Sequence, residues 1–164
     1  MIIKLKDVIL FSNTGADAIQ KAPIVDYDTG IKCVRVGDFS NNRDESAWGY
    51  CKVTPKIFEQ YRLVKNDLLV TRTASLGLCK IITRDLMAVY NNGIIRLKSN
   101  TEKINPSFLY QQMQSQHFLD YISGIEGGSS TRPNMKINFL LDYSFELPCD
   151  AKQQHIVDIR RNVA

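Results

Sequence analysis

The sequence predicts an α+β fold: a single globular domain built on a twisted, mainly antiparallel or mixed β-sheet, with flanking helices and a C-terminal helix. Three observations predict it: short apolar runs divided by turn-forming residues in the middle of the chain, two prolines that each follow a capping residue, and an apolar stripe near the C-terminus. With 164 residues, of which 44% are hydrophobic and 23% charged, the chain is long enough to enclose one core.

Four short apolar runs predict β-strands, which we expect to pair in one sheet because only turn-forming residues separate them. The runs are Leu68 to Val70, Cys79 to Ile82, Ala88 to Tyr90 and Gly93 to Leu97. Earlier in the chain, alternation of apolar and polar residues predicts a strand from Ile31 to Val36. A second short strand is expected around Trp48, Tyr50 and Val53.

Two capping residues followed by proline predict where helices begin, since proline is favoured at the first helical position and the preceding side chain can accept a backbone N–H. Thr54-Pro55 predicts a short helix through Tyr61. Asn105-Pro106 begins one or two helices that end at Gly124. We expect these helices to cover the sheet.

The C-terminal segment predicts a strand and then a helix. Aromatic and polar residues alternate over 143–147, the pattern of a strand with one face in the core, and Asp150 and Gln153 have the spacing of a capping box. The helix that follows carries a short apolar stripe, which packs on its own domain or begins a longer helix meant for a partner. We therefore divide the chain into residues 1–149 and a helical segment, 150–164.

The distribution of charge favours an anionic partner. The formal net charge is +4 and the pI is near 8.9, which shifts the balance only mildly. Two segments, Leu68 to Arg84 and Gly127 to Leu141, contain basic residues and no acidic ones, with Asp67 just before the first and Asp142 just after the second. If both segments lie on one face, that face is the expected footprint of the partner.

Most kinds of chemistry find no support in the sequence. The four cysteines are irregularly spaced without a C-x-x-C pair, so a zinc site is not expected, and the chain has no apolar run of membrane-spanning length. We expect a cytoplasmic protein with reduced thiols and no membrane partner. The phosphate-binding, nucleophile-elbow and zinc-protease motifs are absent, as is the Asp/Asn-Pro-Pro-aromatic run of an adenine methyltransferase. A small hydrolase or nuclease, or an RNA- or protein-interaction module, stays an open alternative.

Several short pieces, weak alone, follow one another in a familiar order over nearly the whole chain. They are Lys4-Leu5, Val34 to Phe39, Asn66 to Thr73 with Ser75 and Gly77, Asn91-Asn92, Pro106 to Ser115, Gly128 to Thr131, Leu147-Pro148, and Gln154 with Ile156. In this order they resemble the target-recognition domain of the DNA-specificity subunit (S subunit, HsdS) of Type I restriction-modification systems. Two features depart from the family's pattern: Gln153 replaces the usual acidic residue, and one recognition domain is present where a complete subunit has two.

The resemblance implies a non-catalytic subunit that recognises one half of a split site in double-stranded DNA. Residues 1–149 would be the target-recognition domain and residues 150–164 the start of the family's spacer helix. The implied partners are modification (methyltransferase) subunits and restriction subunits, and also a second recognition domain or a copy of this chain. The resemblance implies no cofactor in this chain, because S-adenosylmethionine, ATP and Mg²⁺ act in the partner subunits.

We hypothesise that three loops converge on one DNA-facing edge: one at Arg43, one from Arg72 to Ser75 and one from Ser129 to Lys136. Arginine and lysine neutralise phosphates, while arginine and asparagine can also recognise base edges. The candidate DNA-binding residues are Arg43, Arg72, Thr73, Ser75, Ser129, Ser130, Thr131, Arg132, Asn134 and Lys136. Two alternatives remain open: Arg72 forms a salt bridge to Asp67 or Asp85, and Asn134 belongs to a plain turn.

Overall fold

The structure of the chain, a computed structural model, describes residues 1–15, 24–126 and 134–163. Its strands are β1 (Ile2–Lys4), β2 (Ile9–Thr14), β3 (Lys32–Val34), β4 (Gly49–Tyr50), β5 (Leu68–Thr71), β6 (Cys79–Ile81), β7 (Ala88–Tyr90), β8 (Ile94–Ser99) and β9 (Ser144–Glu146). Its helices are α1 (Val36–Ser40), α2 (Pro55–Tyr61), α3 (Pro106–Gln112), α4 (Gln116–Glu126), α5 (Ile137–Leu141) and α6 (Asp150–Val163). Single 3₁₀ turns cover Leu5–Val8 and Glu45–Ala47. The mixed helix and strand content confirms the α+β prediction.

The central sheet has the strand order β2-β8-β5-β6, and every neighbouring pair is antiparallel. All four residues of β5 are buried, because the sheet is covered on both faces. One face, which includes Leu68 and Val70, packs against the helices, and the other, which includes Leu69 and Ile94, packs against a second sheet. The domain therefore consists of three layers with β5 and β8 at the centre.

The second sheet has the order β4-β3-β7, and β3 and β7 are parallel. The expectation that all four central runs share one sheet is therefore wrong for β7, whose residue Tyr90 lies beside Val34 of β3. The partner of β7 comes from far earlier in the chain, and closeness in sequence did not reveal it. The segment between β3 and β7 makes the crossover, which is held by a hydrogen bond from the Leu63 N–H to the Ala88 carbonyl at 2.9 Å.

Both proline-preceded caps are confirmed. The Thr54 hydroxyl accepts the Ile57 N–H at 3.3 Å at the start of α2, and the Asn105 carbonyl oxygen accepts the Ser107 N–H at 2.9 Å at the start of α3. Each cap satisfies an N–H that the first helical turn leaves unpaired. The β9 strand is confirmed too, with Phe145 buried in the core.

Two predicted strands are shorter than expected. The strand predicted from Ile31 to Val36 ends at Val34, and Val36 begins α1 instead. The Asp38 carboxylate accepts the Arg35 N–H at 2.8 Å, and this bond stabilises the first turn of α1. The strand expected around Trp48 to Val53 is reduced to Gly49–Tyr50. The short helix α5 was not predicted.

The predicted capping box of the C-terminal helix is also wrong. The Gln153 side chain is buried, and it donates to the Pro148 carbonyl at 2.8 Å and accepts the Asn105 N–H at 2.9 Å. These bonds attach α6 to the start of α3, while Ile159 on the outer part of α6 is 50% exposed. Among the described residues, no helix is long and apolar enough to cross a membrane.

A buried charge network supports β5 and β8. The Asp67 carboxylate is fully buried, accepts the Val64 N–H at 2.9 Å and lies 3.6 Å from the Arg96 guanidinium and 3.3 Å from the Lys98 ammonium. The Arg96 guanidinium is 5.1 Å from the centre of the Tyr90 ring and also donates to the Arg62 carbonyl at 3.0 Å. Because both charges are enclosed, each depends on the other for its stability.

Candidate nucleic-acid interface

The strand order brings several loops to one edge of the molecule. The parallel strands β3 and β7 end at this edge, where β5 also ends and β8 begins, since Thr71 pairs with Ile94. The segments that leave these strands therefore meet, although they are distant in sequence. This topology positions the candidate site.

An open groove of about 560 Å³ lies at this edge. It is lined by residues 35–38 with Arg43, by Arg72–Thr73 and by residues 91–93. Gly93 allows the close approach of these segments, because a Cβ atom there would lie 2.7 Å from Val36 and 2.9 Å from the Thr73 hydroxyl oxygen. Among the described residues, three arginines line the groove against one carboxylate, that of Asp38, so this lining carries net positive charge.

Arg72 is held against the turn between β7 and β8. Its Nε donates to the Asn92 backbone carbonyl and its Nη2 to the Asn92 side-chain oxygen, both at 2.8 Å. The salt bridge of Arg72 to Asp67 or Asp85 that the sequence left open is wrong, because Asp67 pairs with Arg96 and the Asp85 carboxylate accepts the Lys65 N–H. Within the described part of the chain, Arg72 is half-buried and has no acidic partner.

The loop from Arg72 to Ser75 is closed by Thr71 at its base. The buried Thr71 hydroxyl donates to the Ser75 carbonyl and accepts the Leu78 N–H at 2.9 Å. Ala74 has a φ of 56°, a left-handed conformation that is unfavourable for a residue with a Cβ atom. The loop therefore has a defined shape, with Ser75 exposed at its tip.

The segment that follows residue 133 pairs with this loop. Thr73 and Asn134 form an antiparallel bridge, and the Met135 N–H donates to the Arg72 carbonyl at 2.8 Å. Met135 is fully buried, while Asn134 and Lys136 on either side of it are exposed. The plain turn considered for Asn134 is thus replaced by a short extended pairing next to the groove.

Asp38 organises the opposite wall. Its carboxylate accepts the Arg35 N–H at 2.8 Å and lies 3.4 Å from the Arg43 guanidinium. The Asp38 side chain is only 2% exposed, whereas that of Arg43 is 46% exposed. Arg35 is exposed as well. A buried carboxylate therefore fixes the backbone of one arginine and the side chain of another.

The structure thus places Arg43, Arg72 and Thr73 on one groove, with Ser75, Asn134 and Lys136 on the segments beside it. The predicted residues Ser129, Ser130, Thr131 and Arg132 lie outside the described residues. Not every cation of the first acid-free segment reaches this edge: Arg84 lies beyond the opposite end of β6 and pairs with Glu45 at 2.5 Å.

Sequence reasoning missed Arg35 and gave Asn91 and Asn92 no role in the site. Arg35 lies between two apolar residues at the end of a strand, and that position was its only signal. The groove needs the parallel pairing of β3 with β7, which no local pattern reveals. Among the described residues, no cluster of histidine, cysteine and acidic side chains could hold a metal ion.

Fold and groove together define a class: an α+β domain with a positively charged groove lined by arginine, hydroxyl and amide groups on strand-end loops. The chain belongs to the family described as Type I restriction modification DNA specificity domain, whose model matches residues 1–163. No curated protein matches the sequence.

Three solved structures have the same fold. The Type I restriction-modification S subunit from M. genitalium is 11% identical, with a TM-score of 0.68 over 97% of this chain and 37% of that one. The second match is a chain from a structural study of the type I R-M system, concerned with its complex assembly and conformational transition. It is 15% identical, with a TM-score of 0.69 over 99% of this chain and 37% of that one. The HsdS subunit from Thermoanaerobacter tengcongensis is 14% identical, with a TM-score of 0.69 over 99% and 41%. The chain spans about two fifths of the length of these structures.

Proposed function

We propose that this domain recognises one half-site of duplex DNA in a Type I restriction-modification complex and directs adenine methylation and restriction by partner subunits. In this proposal the domain has no catalytic role. S-adenosylmethionine, ATP and Mg²⁺ belong to the modification and restriction subunits. The observation that carries the proposal is the strand-end groove, whose described lining includes Arg35, Arg43 and Arg72 and one carboxylate, that of the buried Asp38.

The residues of the groove suit a duplex because they combine two kinds of contact. Guanidinium groups neutralise phosphates and set the position of the protein on the helix, which carries no sequence information by itself. Asn134 and Lys136 are exposed on the adjacent segment and can reach base edges or further phosphates. Ser129 to Arg132 extend the same proposed surface in sequence.

The C-terminal helix supports the partner part of the proposal. One side of α6 is anchored through Gln153 and Val157, which are buried, while Ile159, Arg160 and Arg161 near its end are exposed. We assign residues 150–164, of which the structure describes 150–163, as the start of the spacer that positions the modification subunits, a second recognition domain or a second copy of the chain. Ile159 is an apolar residue that is half exposed on this helix of 14 residues, and packing of α6 against a partner would cover it.

The test compares two matched removals of positive charge in the chain assembled with its modification subunits. Arg35→Ala removes an exposed arginine at the groove, and Arg84→Ala removes an exposed arginine at the opposite end of the sheet. Duplex affinity is measured as a function of salt concentration, and methylated adenines are mapped by sequencing. We expect Arg35→Ala to lower affinity and reduce the steepness of log K against log salt by about 0.9, with slower methylation at the same adenines.

Arg84→Ala should change neither quantity. Equal effects of the two substitutions would show that the groove is not the DNA-binding surface. Methylation at an unchanged rate by a complex that lacks this chain would contradict the proposed role altogether.

A further inference from the structure

We infer that Asn92 is a positioning residue that fixes the Arg72 guanidinium as a preset fork for one phosphate of the DNA backbone. The inference rests on the proposed function and adds to it: it names the group that Arg72 contacts and the residue that holds Arg72 in place. Neither role follows from the groove lining alone.

The Arg72 guanidinium can bind two groups at once. Its five N–H groups form one fork along the side, from Nε and Nη2, and a second fork at the end, from Nη1 and Nη2. Asn92 occupies the side fork with two acceptors, its backbone carbonyl and its side-chain oxygen, each at 2.8 Å. The end fork of Arg72 therefore points away from Asn92, and the planar group cannot rotate without breaking both bonds.

Arg72 and the turn that contains Asn92 are both held by backbone hydrogen bonds. The Arg72 N–H donates to the Gly93 carbonyl at 2.9 Å, so the backbone of Arg72 is paired with the same turn that holds its side chain. The Asn91 side-chain oxygen accepts the Gly93 N–H at 3.0 Å and stabilises that turn. An arginine held in this way loses little further side-chain entropy when a ligand binds.

The position and charge of Arg72 favour one ligand over another. A guanidinium fork fits the paired oxygens of a phosphate, and it fits the O6 and N7 of guanine equally well. Arg72 is half-buried and bound to the wall of the groove, and the positive charge of Arg35 and Arg43 on the same groove favours a negatively charged acceptor that reaches the protein surface. A backbone phosphate meets both conditions, whereas a base edge lies deeper in the duplex and is neutral.

The experiment is a double-mutant cycle on duplex binding by the chain assembled with its modification subunits. Arg72→Ala removes the fork and its charge. Asn92→Ala keeps the charge but removes one of the two bonds that hold it. We expect Arg72→Ala to weaken binding about tenfold for every duplex sequence and to reduce the salt slope by about 0.9. Asn92→Ala should weaken binding less, with an almost unchanged salt slope.

The decisive readout is Asn92→Ala in the Arg72→Ala background. If Asn92 acts through Arg72, the second substitution adds no further loss of affinity. Equal losses in both backgrounds would mean that Asn92 only supports the fold, and would overturn the inference. A loss confined to one base-pair position on Arg72→Ala would assign Arg72 to a base edge and would overturn the phosphate assignment.

Arg72→Lys keeps the experiment decisive if Arg72→Ala fails to fold. Lysine retains the charge but lacks the fork, so it should weaken binding as Asn92→Ala does and should make Asn92→Ala ineffective. Unchanged binding by Arg72→Lys would contradict the fork. Failure of the wild-type complex to bind any duplex would refute the proposed function itself, whereas normal binding by every Arg72 variant would refute only this inference.

Discussion

Replacing Asp67 with asparagine leaves the Arg96 guanidinium enclosed without its carboxylate partner. The Asp67 side chain is 0% exposed and that of Arg96 is 6% exposed, so water cannot compensate for the lost charge. Removal of one partner from a buried pair typically costs about 3–5 kcal/mol of stability. Arg96 keeps its bonds to the Arg62 and Gln60 carbonyls, so we expect a loss near the lower end, about 3 kcal/mol.

Urea unfolding followed by circular dichroism measures this loss, provided that the dependence on urea concentration is unchanged. Arg84→Ala is the control, because the Arg84–Glu45 pair is exposed and its removal should cost about 1 kcal/mol or less. The double variant Asp67→Asn with Arg96→Met should lose less stability than the sum of the losses of the two single variants, since neither member of the buried pair is then left charged without its partner. A loss below about 1 kcal/mol for Asp67→Asn would refute this account of the core.

Three further outcomes are expected. Cys149 should react with a thiol reagent in the native chain, while Cys33 and Cys51 should react only on unfolding because both are buried; for Cys33, the hydrogen bond to Cys51 and burial also raise the pKa of the thiol, and peptide mapping that finds native labelling of Cys33 would contradict this. Thr71→Val should lower the free energy of unfolding in urea by about 1–3 kcal/mol, because it leaves the Ser75 carbonyl and the Leu78 N–H without the hydroxyl that pairs with them. An unchanged urea midpoint would show that this hydroxyl does not stabilise the loop. Ala74→Gly should raise stability by up to about 1 kcal/mol in the same assay by relieving the positive φ, and a loss would show that the loop is not strained there.

Local signals explain what the sequence could predict. The caps at Thr54 and Asn105 each depend on groups within three residues, and both helices begin where the caps predict. The aromatic alternation before Leu147 likewise predicted β9, because a single covered face imposes a period of two. Predictions of this kind need no knowledge of the rest of the fold.

Predictions that depended on distant partners failed or could not be made. Strand β7 joins β3 across a long crossover, so the expected single sheet was wrong. Gln153 faces the start of α3, and its side chain is therefore used there and not in a capping box. A tertiary contact outweighed the local preference in both cases.

The candidate site divides in the same way. The absence of acidic residues from Leu68 to Arg84 identified Arg72 as a candidate, and Arg43 was proposed from its place in a loop; the strand order places both on one groove. Arg35 and Asn92 gave no comparable signal, because their place at the groove comes from the parallel pairing of β3 and β7 and from the turn before β8. Residue type indicated that the surface is basic, whereas only the strand order shows which residues line the groove.

Hydrogen exchange on the chain in complex with its modification subunits, with and without duplex DNA, tests the central claim most directly. We expect slower amide exchange over residues 35–43, 72–75 and 134–136 when duplex is added, and unchanged exchange around Arg84 at the opposite end of the sheet. Protection around Arg84 with none at the groove would contradict that claim.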